Sequence, residues 1–245
     1  MIDLHTHLLP GIDDGSKNLE ETRQLLLRQT QNGVDRVVLT PHFYCDRMDL
    51  DDFLIKRDRA FQQTLTILDP ATMPQIKAGA EVRYSPALLE MDLSKLTLGE
   101  SSYLLLELSD LHYPAHLEQV IMNMTMMGIT PILAHVERCK YFREQPDLLL
   151  HLIGKGALGQ VTVLSLFDRA TKSFALACLK NSLAHIVASD AHNLTLRPPC
   201  LAKLNEIMDP TLIHRSELFA KSVWDNEEAP FFEATPVKKR VFGYS

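Results

Sequence analysis

Histidines and carboxylates recur in this chain where apolar runs stop. His5 and His7 stand two apart in HTHLLPGIDDGS, residues 5–16, and Asp190 and His192 stand two apart in SDAH, residues 189–192. In an extended strand, residues two apart project to the same face, so each pair converges on one point. His42, Glu81, Glu107 and His135 follow the same habit, and the IDDG loop adds Asp14. All are nitrogen or oxygen donors and none is a cysteine, which suits manganese, iron, zinc or cobalt, without selecting one of them. Nine donors are too many for one tetrahedral ion and suit two or three ions that share a bridging carboxylate. Arg138 lies three residues after His135 and Arg197 five after His192. A single arginine is most often a surface charge, but beside such a centre a guanidinium fork matches two oxygens of a phosphate.

The elements that would position these groups can be read from the apolar pattern. Strand-like runs fall near residues 2–6, 35–41, 76–82, 103–108, 130–135, 160–166 and 184–189. Helical patterns lie between them. One runs from Asn18 to Asn32, with Asn18 as N-cap, Glu21 three residues on and Gly33 at its stop; others cover Leu50 to Leu68, His116 to Met127 before Gly128, and Arg169 to Asn181. Ser85 to Ser102 holds a shorter helix and loop, and from about Asp209 a helical or irregular extension follows, ending in VFGYS. Repeated βα units imply a parallel sheet with right-handed crossovers. Seven of them in one stretch, without a GxGxxG or GxxxxGK[ST] loop, predict a distorted TIM-like (β/α)7 barrel in a single domain spanning 1–245.

In a βα barrel, chemistry sits at the C-terminal ends of the strands. Six of the seven expected strands end in a candidate ligand. One strand-end histidine is most often a satisfied core or surface residue; five coinciding there are not explained that way. His112, His116, His151, His185 and His214 fall instead in helices, loops or a strand start, and act as an internal control.

Composition narrows the alternatives. The chain has 245 residues, 46% hydrophobic and 23% charged, with a formal net charge of −6, as expected of a globular protein with a large core. An acidic chain whose only short basic cluster is Lys238-Lys239-Arg240 does not predict nucleic-acid binding or stable membrane insertion. Cys45, Cys139, Cys178 and Cys200 form no CxxC pair, and the chain opens on strand-like sequence rather than a leader; a reducing cytoplasm is the expected location.

HTHLLPGIDDGS, TPH, GAEV, LLLEL, AHVER and ASDAHNLTLRPP, in that order over residues 5–199, resemble the PHP (polymerase and histidinol phosphatase) superfamily. More narrowly they resemble its bacterial protein-tyrosine phosphatase branch, associated with capsule and exopolysaccharide loci; LPGIDDG and SDAHN…RPP carry that narrower likeness. The resemblance implies a distorted (β/α)7 barrel with a trinuclear, most often manganese, centre. It implies a first ion on His5, His7, Glu81 and Asp190, a second on Asp14, His42 and His192, and a third on Glu107 and His135, with Glu81 bridging; Asp13 is the alternative to Asp14. The branch commonly has HPERY where this chain has His135-Val136-Glu137-Arg138-Cys139, and a glycine-rich turn where it has Leu164-Ser165-Leu166-Phe167, so substrate fit near residues 139 and 165–168 is expected to differ.

The implied reaction is hydrolysis of phosphotyrosine on a protein, by resemblance an autophosphorylating kinase of polysaccharide export. Paired ions lower the pKa of a bound water toward roughly 7, which supplies hydroxide as nucleophile, while Arg138 and Arg197 would hold the phosphoryl oxygens. Phenolate, with a conjugate acid near pKa 10, leaves without a general acid. A cysteine-based phosphatase would need an arginine six residues after its nucleophile. Those positions are Asp51, Gln145, Ala184 and Glu206, which rejects that route. The remaining alternatives are a small-molecule phosphoesterase, such as one for histidinol phosphate, and a metal-stabilised regulatory module without turnover.

Overall fold

The structure is a computed structural model and describes residues 1–240 and 243–245; Val241 and Phe242 of the terminal VFGYS lie outside the described residues. The chain alternates strand and helix: β1 (Ile2–Thr6), α1 (Leu19–Gln31), β2 (Arg36–Leu39), β3 (His42–Phe43), α2 (Leu50–Leu65), β4 (Gln75–Ala78), β5 (Glu81–Arg83) and β6 (Tyr103–Glu107). It continues through α3 (Leu117–Met126), β7 (Thr130–Leu133), α4 (Lys140–Glu144), α5 (Pro146–Gly154), β8 (Leu158–Thr162), α6 (Lys172–Lys180) and β9 (Ile186–Ala188). The helix α7 (Pro210–Asp225) and a small hairpin, β10 (Lys239–Arg240) with β11 (Gly243–Tyr244), complete it.

β1, β2 and β4 pair in that order, and β3, β5, β6, β7, β8 and β9 form a second run, all parallel. β2 and β3 are one expected strand interrupted at Thr40-Pro41, where proline has no N–H to give the ladder. β4 and β5 are another, interrupted at Gly79-Ala80. A side chain at Gly79 would come within 2.9 Å of Leu98 Cδ2, so the break is also a close approach. Taken together, the strands curl into a parallel half-barrel within a mixed α/β fold. The end of β1 meets the residues after β9: Thr6 bridges Ala191, the His7 N–H donates to Ala191 O at 2.8 Å, and the Asp190 N–H donates to His5 O at 3.0 Å.

Alternation along the strands separates two apolar layers. Val37, Leu39, Leu104, Leu106 and Leu133 pack outward against helix residues such as Leu25, Phe53, Ile121 and Phe174. Leu4, Val38, Leu105, Ile132 and Ile186 pack inward on Phe219, Val223 and Trp224 of α7, which plugs one end of the half-barrel. Burying each such side chain contributes about 1.5–3 kcal/mol. The inward positions turn polar toward the strand C-termini, where His42 and Glu107 continue the parity of Val38 and Leu105.

The helix ends follow their signals. The Asn18 side chain accepts from the Glu21 N–H at 3.0 Å, and the Glu21 carboxylate accepts from the Lys17 N–H at 2.9 Å, a capping arrangement that satisfies two otherwise free donors. Gly33 and Gly128 take φ of 73° and 76° just after α1 and α3, where a side chain would be strained. Asp49 and Asp209 cap α2 and α7. Three expectations shift. α4 and α5 replace an unassigned stretch, because the apolar run Leu148-Leu149-Leu150 masks the helical period and Pro146 starts a new helix. The sixth strand begins two residues early and ends at Thr162, where Leu164–Leu166 turn into a 3-10 helix. α6 starts at Lys172 rather than Arg169.

Candidate metal centre

Glu81, at the start of β5 and 1% exposed, lies at the middle of the site. Its Oε2 is 2.9 Å from His42 Nδ1, 3.2 Å from His7 Nε2 and 3.3 Å from His5 Nε2, and its Oε1 is 3.0 Å from His135 Nε2. Asp190 Oδ1 stands 3.4 Å from His5 Nε2, 3.6 Å from His7 Nε2 and 3.4 Å from His192 Nδ1. Asp14 Oδ1 lies 3.5 Å from His42 Nε2 and 3.4 Å from His192 Nε2, and Glu107 Oε2 is 3.8 Å from His42 Nδ1. The histidines and carboxylates anticipated at the strand ends thus converge at one end of the sheet.

Donor atoms cluster in three groups among the described residues: His5, His7 and Glu81; His7, Asp14, His42 and His192; and His42, Glu81 and Glu107. Asp190 and His135 touch members of these groups but fall outside them. The five control histidines are elsewhere: His151 pairs with Glu118, and the His185 ring nitrogen accepts from the Gly159 N–H at 3.1 Å.

The donor set fits divalent ions. Glu81 Oε2, Glu107 Oε2, His42 Nδ1 and His192 Nε2 are buried and make no well-formed hydrogen bond; Glu81 Oε2 and His42 Nδ1 approach to 2.9 Å without the geometry of one. Unpaired buried polar atoms are costly, and shared cations remove that cost. Electrostatics agrees. Burial opposes charge on Glu81, but His5, His135 and His42 hold its pKa well below the ordinary range. Burial and the Glu81 charge raise the Glu107 carboxyl. Burial and the neighbouring His7 push His192 down to about 4, whereas the charges on Glu81 and Asp190 overcome burial and raise His5. Protons on some rings balance the carboxylates, a role divalent cations fill better.

Surrounding residues fix the donors. The Asp13 carboxylate accepts from His7 Nδ1 at 2.7 Å, from the His42 backbone N–H at 3.0 Å and from the Gly15 N–H at 3.0 Å, so it orients the His7 ring and fixes the backbone at His42, while Asp14 faces the His42 and His192 rings. Gln160 Oε1 accepts from His5 Nδ1 at 3.1 Å and from the His135 N–H at 3.0 Å. Asp3, fully buried, accepts from Ser189 and from Gln29 Nε2 and so ties the start of β1 to the chain before Asp190. His135 and Asp190 adopt φ of 34° and 52°, left-handed conformations that cost of order 1–3 kcal/mol each and concentrate at functional sites. Gly15 is required for space: a Cβ there would meet His7 O at 2.0 Å.

Three arginines rim the mouth, each on a carboxylate of the cluster. Arg138 contacts Asp190 Oδ2 at 2.6 Å, Arg197 contacts Asp14 Oδ2 at 2.6 Å, and Arg83 contacts Glu107 Oε1 at 2.9 Å. Arg83, Gln160 and the bracing role of Asp13 escaped sequence reasoning. Arg83 lies two residues from Glu81 on one short strand, a spacing that would have flagged it; Gln160 carried no signal.

The description "Capsular polysaccharide synthesis, CpsB/CapC" matches residues 1–223. The chain belongs to the CpsB/CapC family. It is 33% identical over 203 residues to the tyrosine-protein phosphatase YwqE of Bacillus subtilis, covering 80% of this chain and 79% of that protein. It is 34% identical over 209 residues to the putative tyrosine-protein phosphatase CapC of Staphylococcus aureus, covering 83% and 82%. Crystal structures of YwqE and of CpsB from Streptococcus pneumoniae, described as unique metal-dependent tyrosine phosphatases, include a chain that superposes with a TM-score of 0.85 at 27% identity, over 98% of this chain and all of that one. CpsB/CapC membership covers every candidate ligand, because the matched stretch runs past His192 and Arg197.

Proposed function

We propose that this CpsB/CapC protein is a metal-dependent protein-tyrosine phosphatase. The observation that carries this reading is the meeting of Glu81 with four imidazoles within 2.9–3.3 Å, rimmed by arginines, in a chain related to named tyrosine phosphatases. The ligand assignment is His5, His7, Glu81 and Asp190 for one ion, Asp14, His42 and His192 for a second, and Glu107 and His135 for a third, bridged by Glu81. The presence of the Glu81 carboxylate in two of the three donor groups supports ions sharing a ligand. Manganese is the proposed metal, and three ions the proposed number.

When bound, the ions supply electrophilic stabilisation of phosphoryl oxygens and a water acidic enough to attack near neutral pH. The chain's own residues do the rest. Gln160 and Asp13 hold the His5 and His7 rings with their other nitrogens aimed inward. Arg138 and Arg197, about one-third exposed, present guanidinium forks to a phosphate at the mouth and neutralise charge as the ester bond breaks. Phenolate leaves without a proton donor. The cysteines are poor nucleophiles: burial pushes Cys139 and Cys200 up to about 12 and raises Cys178.

The same reading extends to the whole chain. The Thr6–Ala191 bridge supports a closed, distorted (β/α)7 barrel, with residues 1–245 one domain and the stretch from about Asp209 its C-terminal extension. No helix among the described residues is long and apolar enough to cross a membrane. A cytoplasmic location, with the phosphotyrosine tail of a polysaccharide-export kinase as substrate, fits that finding and the family description.

The test pairs a phosphotyrosine peptide with histidinol phosphate, using manganese-loaded protein, a chelator and a thiol alkylator. Turnover of the peptide in preference to histidinol phosphate, lost to the chelator and kept after alkylation, is expected. Loss to the alkylator alone, or turnover of histidinol phosphate only, refutes the reading.

A further inference from the structure

A pocket of about 370 Å³ opens directly beside Asp14 and His42, within the size range of small-ligand sites. Beyond those two side chains its walls are Ile12, Tyr44 and Met48, over a floor of Phe43 and Phe53, whose rings pack 4.8 Å apart. The centre therefore has a polar bed on one side and an aromatic and aliphatic slot on the other. The Tyr44 ring lies 5.2 Å from the His42 ring, and the Arg47 guanidinium sits 4.7 Å above Tyr44. Arg47 is exposed, with its guanidinium over the Tyr44 ring. Backbone N–H groups of Arg47 and Met48 both donate to Tyr44 O, at 2.9 and 3.1 Å, so one turn fixes the aromatic wall and the rim cation together.

We propose that this slot is the aryl subsite, which holds the ring of phosphotyrosine while its phosphate lies on the His- and carboxylate-lined bed. The proposal rests on the phosphatase reading and deepens it by naming what selects the leaving group. A phosphate held over Asp14 and His42 by the cations they would bind and by Arg197 adjoins an apolar wall, toward which its ester oxygen can point. A planar ring buries its faces against Tyr44 and Met48, in the offset or tilted geometry that aromatic pairs favour. An alkyl phosphate leaves this surface in contact with water. Arg47 at the rim then meets the peptide that carries the ring, and favours an acidic neighbour.

Phenylphosphonate and methylphosphonate share the phosphonate and differ only in the ring, and neither is hydrolysed. Calorimetry with manganese-loaded protein is expected to give phenylphosphonate a dissociation constant lower by roughly tenfold or more, the return on burying one ring. Met48→Trp fills the slot and should shrink that ratio to near one; if Met48→Trp does not fold, Ile12→Trp, on the loop that carries Asp14, fills it instead. A wild-type ratio near one, or a ratio unchanged in a folded slot-filling variant, overturns the subsite. Turnover of a phosphotyrosine peptide, measured separately, keeps the two readings distinct: peptide turnover with no ring preference sinks the subsite alone, and absence of turnover sinks the phosphatase reading.

Discussion

Gln160→Leu isolates how much of the centre depends on one side chain that binds no ion. Gln160 is 1% exposed, and its Oε1 accepts from His5 Nδ1 at 3.1 Å and from the His135 N–H at 3.0 Å, both donors buried. Because Nδ1 of His5 donates to Gln160 whether the ring is neutral or charged, Nε2 stays directed at His7, Glu81 and Asp190. Leucine has similar length and no acceptor. Two buried donors then lack a partner, but the buried Gln160 Nε2, which has none in the wild-type protein, is removed as well, so at about 1–3 kcal/mol per unsatisfied group the folded state loses roughly 1–3 kcal/mol net. The His5 ring is also free to turn, and His135 loses a bond that helps to hold its φ of 34°; loss of such a supporting bond typically weakens metal affinity 10–100-fold. The assay is urea unfolding in chelator for stability, with manganese titration followed by calorimetry for affinity. Gln160→Glu keeps an acceptor at the same place and should restore much of the affinity, which a purely structural defect would not predict. Gln160→Leu with wild-type manganese affinity and an unchanged unfolding midpoint would refute the reasoning.

Gly15→Ala places a methyl group 2.0 Å from His7 O and 2.6 Å from His7 Cβ. The loop must move, at a cost of about 1–3 kcal/mol, and Asp14 moves with it; the expected results are a lower melting temperature and reduced metal content by elemental analysis. Removal of metal by a chelator should lower the melting temperature of the wild-type protein. The unpaired Glu81, Glu107, His42 and His192 atoms then lose their cations, and saturation at a hundred times the dissociation constant is worth about 2.7 kcal/mol for one ion; an unchanged melting curve would count against the site. Burial and the Arg215 charge push His185 down to about 4. The unfolded chain takes up a proton near pH 6.5 and the folded one does not, so this contribution is full above pH 6.5 and is lost as pH falls toward 4. It amounts to about 3 kcal/mol. In chelator, His185→Asn, which retains an acceptor for the Gly159 N–H, should lose measurably less stability than wild type between pH 7 and pH 5.

The strand ends were legible because one rule joins sequence to space: in parallel βα units every strand points the same way, so residues at run ends meet without long-range information. His5, His42, Glu81, Glu107, His135 and Asp190 were placed that way, and each reaches the cluster through a short backbone segment. Element limits were less legible where the apolar signal is continuous. Leu148-Leu149-Leu150 reads as neither helix nor strand, and α4 and α5 went unassigned there. The expected sixth strand ran four residues past the end of β8 because Val163 to Leu166 is as apolar as the strand before it.

What sequence could not supply was the division of labour between like residues. Asp13 and Asp14 are adjacent carboxylates in one loop, and only the path of the chain through Gly15 turns the first onto His7 and the His42 N–H and the second toward His42 and His192. The arginines show the same limit: their spacing marked Arg138 and Arg197, but not that each grips a carboxylate of the cluster, nor that Arg83 does so too. The sixth strand shows it most fully. It is the one expected strand whose end carries no histidine or carboxylate, so the strand-end rule selects nothing from it. Its Gln160 lies between His5 and His135 and holds both, and a neutral amide on a buried strand gives no sign of that in composition, charge or period. The candidate ligands are legible because their chemistry is rare at strand ends; the residues that orient them are common ones, and only their neighbours reveal them.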